Sequence, residues 1–145
     1  MRIIGKVSFL VGMVIMGCSK SPAALSEEEF LKILGEAVRH APYQFKERDW
    51  PLLEKKMITY CGQLDEVRAM DAGSSVVIKV EKTYAGEKLP WSLEGKTNSP
   101  DLARSHKTGD SVCITGILES YALHAMGEEY WGYVKVLSWE KPVAS

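Results

Sequence analysis

The sequence predicts a mainly β domain: a five-stranded Greek-key barrel preceded by a helix. Three observations carry this. The apolar residues switch from helical to alternating spacing at Met57. Five alternating runs then follow, with one short helix-capable stretch between the third and the fourth, which is the connectivity of a small barrel. Gly62 and Gly116 fall in two of these runs, where a barrel strand needs a kink to turn its corner; the alternative is that both glycines end strands. A sandwich fits less well, since it usually needs about seven strands. The chain has 145 residues, room for one ordinary domain.

The first segment reads as an address. Arg2 and Lys6 form a basic patch, and Val7 to Met16 follows with only Ser8 as a polar interruption. This is the pattern of a signal peptide, and the apolar stretch is too short to span a bilayer as a mature helix. It ends Ile15-Met16-Gly17-Cys18, which resembles the lipobox of bacterial lipoproteins. The resemblance implies cleavage after Gly17 and a thioether-linked diacylglycerol on Cys18, giving a membrane partner through lipid. Two or three acyl chains anchor stably where one does not. Ser19 to Ala24 is small and polar, as a tether is. Ser19, in the place where inner-membrane lipoproteins often carry Asp, implies the outer membrane, facing the periplasm. The expected organisation is residues 1–17 signal peptide, 18–25 tether, 26–56 helical segment, 57–139 barrel and 140–145 tail.

Once Cys18 carries lipid, Cys61 and Cys113 remain. An even pair in an exported domain reads as a disulfide, the alternative being two unpaired buried thiols. No CxxC spacing or histidine cluster suggests a metal.

Ser26-Glu27-Glu28-Glu29 opens a helix, with Ser26 and Glu29 spaced for a capping box. Phe30, Leu31, Ile33, Leu34, Ala37, Val38 and Ala41 make one apolar face, and Pro42 stops it. Asp49-Trp50-Pro51 reads as a second helix start with Asp49 as the cap. Tyr43, Phe45 and Trp50 read as packing residues. The strands are expected at Met57 to Leu64, Ser75 to Tyr84, Lys88 to Leu93, Ser111 to Leu118 and Tyr130 to Trp139. Asp71 to Ser74 is a turn, and Gly95 to Lys107 is a polar connection in which Asp101 to Arg104 can form one helical turn.

Gly109-Asp110-Ser111-Val112-Cys113-Ile114-Thr115-Gly116 resembles the start of strand four in OB-fold proteins, and Tyr60-Cys61-Gly62 resembles the bend in strand one. With the helix in front, the chain resembles the exported bacterial tRNA_anti-like group over Trp50 to Trp139. The resemblance implies an OB barrel with strand one beside strand four. Alternation then points Cys61 and Cys113 away from the core on adjacent strands, where a cross-strand bond can form.

The charges are balanced, 18 basic against 19 acidic, with a net charge of −1. Phosphate binding usually shows as a basic excess, so this reading sets nucleic acid aside as a partner. No P-loop, HExxH or GxGxxG is present, and no catalytic set is expected. The OB resemblance places ligands on the face of strands two and three. That brings in Arg68, Lys79, Trp91, Tyr121, His124, Tyr130 and Trp131 as candidate ligand-binding residues. The resulting expectation is a non-enzymatic, lipid-anchored envelope protein that binds a protein, peptide or glycan, with no cofactor and no metal. The alternatives are a haem- or cofactor-handling protein, with His124 and Tyr130 in one segment, and an inhibitory or structural lipoprotein.

Overall fold

A computed structural model describes residues 22–124 and 129–142. Cys18 and the signal segment lie outside the described residues. The chain enters as a two-residue strand, Ala24–Leu25, which pairs in parallel with Met57–Ile58.

Helix α1 spans Glu27–Ala37. Ser26 Oγ accepts from the Glu29 amide and Glu29 Oε1 accepts from the Ser26 amide, both at 3.0 Å, so the expected capping box forms. These bonds to Ser26 hold the Glu29 carboxyl below its ordinary range. Phe30, Leu34 and Ala37 are buried against the barrel. Pro42 does not stop this helix; it opens the next. Residues 42–53 form one helical run, α2: Pro42–Gln44, a π-helical segment Phe45–Asp49, and Trp50–Leu53. Asp49 is therefore inside the run, with helical backbone and no capping bond. Its buried carboxylate Oδ2 lies 2.7 Å from His40 Nδ1 instead. Tyr43 is not a packing residue, being 66% exposed.

Five strands follow: β1 Met57–Met70, β2 Gly73–Lys79, β3 Trp91–Thr97, β4 Ser111–His124 and β5 Glu129–Glu140. Their order is β1-β2-β3-β5-β4, and β1 also pairs β4, so the sheet closes on itself. β3 and β5 run parallel and the other pairs antiparallel. This order, with helix α3 (Asp101–Ser105) between β3 and β4, is the OB fold.

Two strands run longer than the sequence reading gives them. β1 continues six residues past Leu64 because it serves two neighbours. Its first half pairs β4 and its second half pairs β2, with a register shift between Leu64 and Glu66. The bend is thus a bulge at Asp65, three residues beyond Gly62. β4 carries shifts at Thr115/Gly116 and Leu118/Ser120 and pairs β5 as far as His124. Gly116 is one true corner: an added Cβ would sit 2.3 Å from the Lys135 carbonyl oxygen. The expected second strand stops at Lys79, and Thr83–Tyr84 turns through Ala85-Gly86 to pair Glu87–Lys88. Both turn residues have positive φ, 53° and 80°, the conformation a tight hairpin demands. β3 begins at Trp91 and runs to Thr97, three residues into the stretch read as a polar connection.

Ile58, Tyr60, Leu64, Val76, Ile78, Leu93, Val112, Ile114 and Leu118 fill the barrel. A second packing unit closes it. The Phe45 ring lies 4.7 Å from Tyr130, 4.9 Å from Tyr121 and 5.6 Å from Trp91, and Trp50 lies 4.8 Å from Tyr121. Aromatic pairs at these spacings are worth more than their buried area alone. Phe45 is the first residue of the π-helical segment and is fully buried.

Candidate functional site

Alternation along β3 and β5 separates an inner from an outer surface. Trp91, Leu93 and Gly95 face inward with Gly132 and Val134; Ser92, Glu94 and Lys96 face outward with Trp131, Tyr133 and Lys135. Register across the sheet sorts the outward residues into rows. One row is Arg68, Ser75, Lys96 and Lys135. The next is Glu66, Val77, Glu94, Tyr133 and Ser120. A third holds Lys79, Ser92, Trp131 and Ala122.

An open groove of about 740 Å³ crosses this face. It runs from the β1–β2 turn at Met70 to Ser74, over Glu94, Lys96, Tyr133 and Lys135, to the β4 bulge at Glu119 and Ser120. Its charges alternate by row. Arg68 is paired with Glu66 at 2.5 Å, and Lys96 lies 3.9 Å from Glu94. Ser75, itself buried, donates to Glu94 Oε2 at 3.2 Å. Lys79 and Lys135 have no ion-pair partner among the described residues. Buried Ser74 supports the groove's end: its Oγ donates to the Ser99 carbonyl and accepts from the Ala103 amide, tying α3 to β2. No group of three or more His, Cys, Asp or Glu among the described residues is arranged to hold a metal.

The seven candidate ligand residues divide. Arg68, Lys79, Trp131 and His124 lie on the outer face, with the His124 ring edge-on to Trp131 at 5.7 Å. Trp91, Tyr121 and Tyr130 point inward into the aromatic unit around Phe45, where Trp91 is 3% exposed. Burial raises the phenol pKa of both tyrosines, and for Tyr130 the neighbouring Tyr121 and Asp49 add to it. His124 and Tyr130 therefore stand on opposite faces. The sequence reading missed Glu94, Lys96, Tyr133 and Lys135. The signal for Glu94 and Lys96 was the unbroken alternation from Trp91 to Lys96, which the early end placed on the third strand hid; Tyr133 and Lys135 lie on the strand expected at Tyr130 to Trp139, and only the β3–β5 register brings them to the groove.

No protein-family model and no curated protein matches the chain. Solved structures do. A small single-stranded DNA-binding protein from Streptomyces coelicolor aligns with 62% of this chain and 96% of its own, at 13% identity and a TM-score of 0.42. A putative aspartyl-tRNA synthetase from Leishmania major Friedlin covers 83% of this chain at 9% identity and a TM-score of 0.46. The aspartyl-tRNA synthetase of Entamoeba histolytica covers 65% at 12% identity and a TM-score of 0.41. This chain spans about a fifth of either synthetase, 21%. The likeness is one of fold. The expectation that sets nucleic acid aside is corrected: the solved structures similar to this chain include a single-stranded DNA-binding protein.

Proposed function

We propose that the chain is a lipid-anchored envelope protein whose OB barrel is a non-enzymatic binding module, taking a protein or peptide partner in the groove over β3 and β5. The observation that carries this is the groove's two-signed surface. Rows of cations and carboxylates lie side by side around Tyr133, so a partner of mixed charge finds an opposite charge for each of its own. Such complementarity sets specificity and register.

The anchor is supported by the sequence and by the entry of the chain into the barrel. Cys18 stands six residues before Ala24, a reach of about 20 Å at most, which holds the barrel beside the surface that carries the lipid. The Cys61–Cys113 disulfide fits an oxidising compartment outside the cytoplasm.

Intact mass of the protein purified from membranes, with and without reduction, tests the anchor. A chain beginning at Cys18 with acyl masses added, and a gain of two hydrogens on reduction, is expected. An unprocessed chain with free thiols contradicts the envelope reading.

A further inference from the structure

Glu94 and Lys96 lie two residues apart on the outer face of β3, and Tyr133 and Lys135 two apart on β5. Parallel pairing sets Glu94 beside Tyr133 and Lys96 beside Lys135, and all four line the groove. The side chain of Glu94 is sunk, 18% exposed, while that of Lys96 is 61% exposed. Glu94 accepts one hydrogen bond, from the Ser75 hydroxyl, with Lys96 Nζ 3.9 Å from the same oxygen, where a carboxylate offers about four acceptor sites. A sunken carboxylate beside an aromatic ring suits a guanidinium or ammonium group, by charge-assisted hydrogen bonding and cation–π attraction. The two lysines of the next row suit one carboxylate. The rows are separated by two residues of strand, roughly 6.6 Å, which is also the spacing of residues i and i+2 on one side of an extended peptide.

We infer that the groove takes an extended segment of the partner carrying a basic and an acidic side chain two residues apart, the basic one on Glu94 and Tyr133 and the acidic one on Lys96 and Lys135. This rests on the groove being the protein-binding surface proposed above. Adjacent charges in a peptide point to opposite sides of it, so composition alone does not satisfy the site.

The test uses isotope-labelled full-length protein and two isomeric probes, acetyl-Thr-Arg-Thr-Glu-Thr-amide and acetyl-Thr-Arg-Glu-Thr-Thr-amide, with oligothymidylate as a third. Amide shifts are followed during titration. The first peptide is expected to bind about fivefold more tightly than its isomer, the size two exposed charge pairs give, with shifts centred on β3 and β5. Glu94→Gln, which keeps the Ser75 hydrogen bond, and Lys96→Glu with Lys135→Glu are each expected to abolish the difference while the remaining spectrum is unchanged. Equal affinity for the two isomers within the groove overturns the spacing inference and leaves the groove a peptide surface. Groove shifts with oligothymidylate alone overturn both.

Discussion

Cys61 and Cys113 stand directly opposite each other across the seam where β1 meets β4, joined by a disulfide with their Cα atoms 3.9 Å apart. The neighbours Tyr60 and Ile114 point into the core, so the bond lies on the outer side of the barrel. The seam is the contact that turns a sheet into a barrel, and the bond ties strands 52 residues apart in sequence.

Replacing both cysteines by alanine is expected to lower unfolding stability by about 4 kcal/mol, the chain-entropy value for a loop of this length. Denaturant unfolding of the oxidised protein and the double variant measures it. An unchanged midpoint would remove the disulfide from the stability account.

Gly116→Ala tests the corner of β4. The new Cβ meets the Lys135 carbonyl oxygen at 2.3 Å, a backbone atom that cannot swing aside. The loss is expected at about 2–3 kcal/mol, as for overpacked cores. A loss under 0.5 kcal/mol, the size of an ordinary surface change, would place the corner elsewhere.

Tyr60 gives the protein a pH limit. Its ring packs edge-on against Phe30, with Lys82 Nζ 5.0 Å from the ring centre. Burial, and after it the negative charge of Glu27, push the phenol up to about 12; hydrogen bonds with the Lys82 and Glu81 backbone offset part of this. The folded value lies above the unfolded value of about 10, so the neutral phenol's contribution is full below pH 10 and is lost as pH rises from about 10 to 12. Tyr60→Phe is expected to flatten that part of the stability–pH curve. Phenolate absorbance should show Tyr60 ionising late, and its ionising with the exposed tyrosines would contradict the packing.

His40→Ala leaves the buried Asp49 carboxylate without its 2.7 Å contact. A loss of about 1–3 kcal/mol is expected, the cost of stranding a buried polar group. Tyr43→Ala, at an exposed position of the same run, is expected to stay within about 0.5 kcal/mol. A double-mutant cycle on His40 and Asp49 that shows no coupling would deny the contact its role.

Most of the barrel was legible because it is written in local pattern. The capping box at Ser26 and Glu29 follows from spacing, and the opposition of Cys61 to Cys113 follows from alternation once the OB resemblance sets strand one beside strand four. What the sequence hid depends on partners far along the chain. β1 reads as ending at Leu64 because the residues beyond, from Asp65 to Met70, are largely polar or exposed; they are a strand only because β2 returns beside them. Asp49 and Pro51 imitate a helix start, yet the run begins at Pro42, and its packing rests on Phe45 meeting Trp91, Tyr121 and Tyr130 far along the chain. The candidate groove was the least legible. Lys96 and Lys135 are distant in sequence and unremarkable alone, and only the parallel register of β3 with β5 sets them side by side. Trp91, Tyr121 and Tyr130 have the composition of a stacking surface, but alternation gives them to the core.

The central claim is that a protein partner docks on the outer face of β3 and β5. A photo-crosslinking residue in place of Tyr133, set in the full-length protein expressed in intact bacterial cells, tests it most directly. The account expects a discrete protein adduct that is lost when Lys96 and Lys135 are both changed to Glu, and no such adduct from the same residue at Tyr43. Capture of nucleic acid at Tyr133, or an identical adduct at Tyr43 that ignores the charge changes, would contradict it.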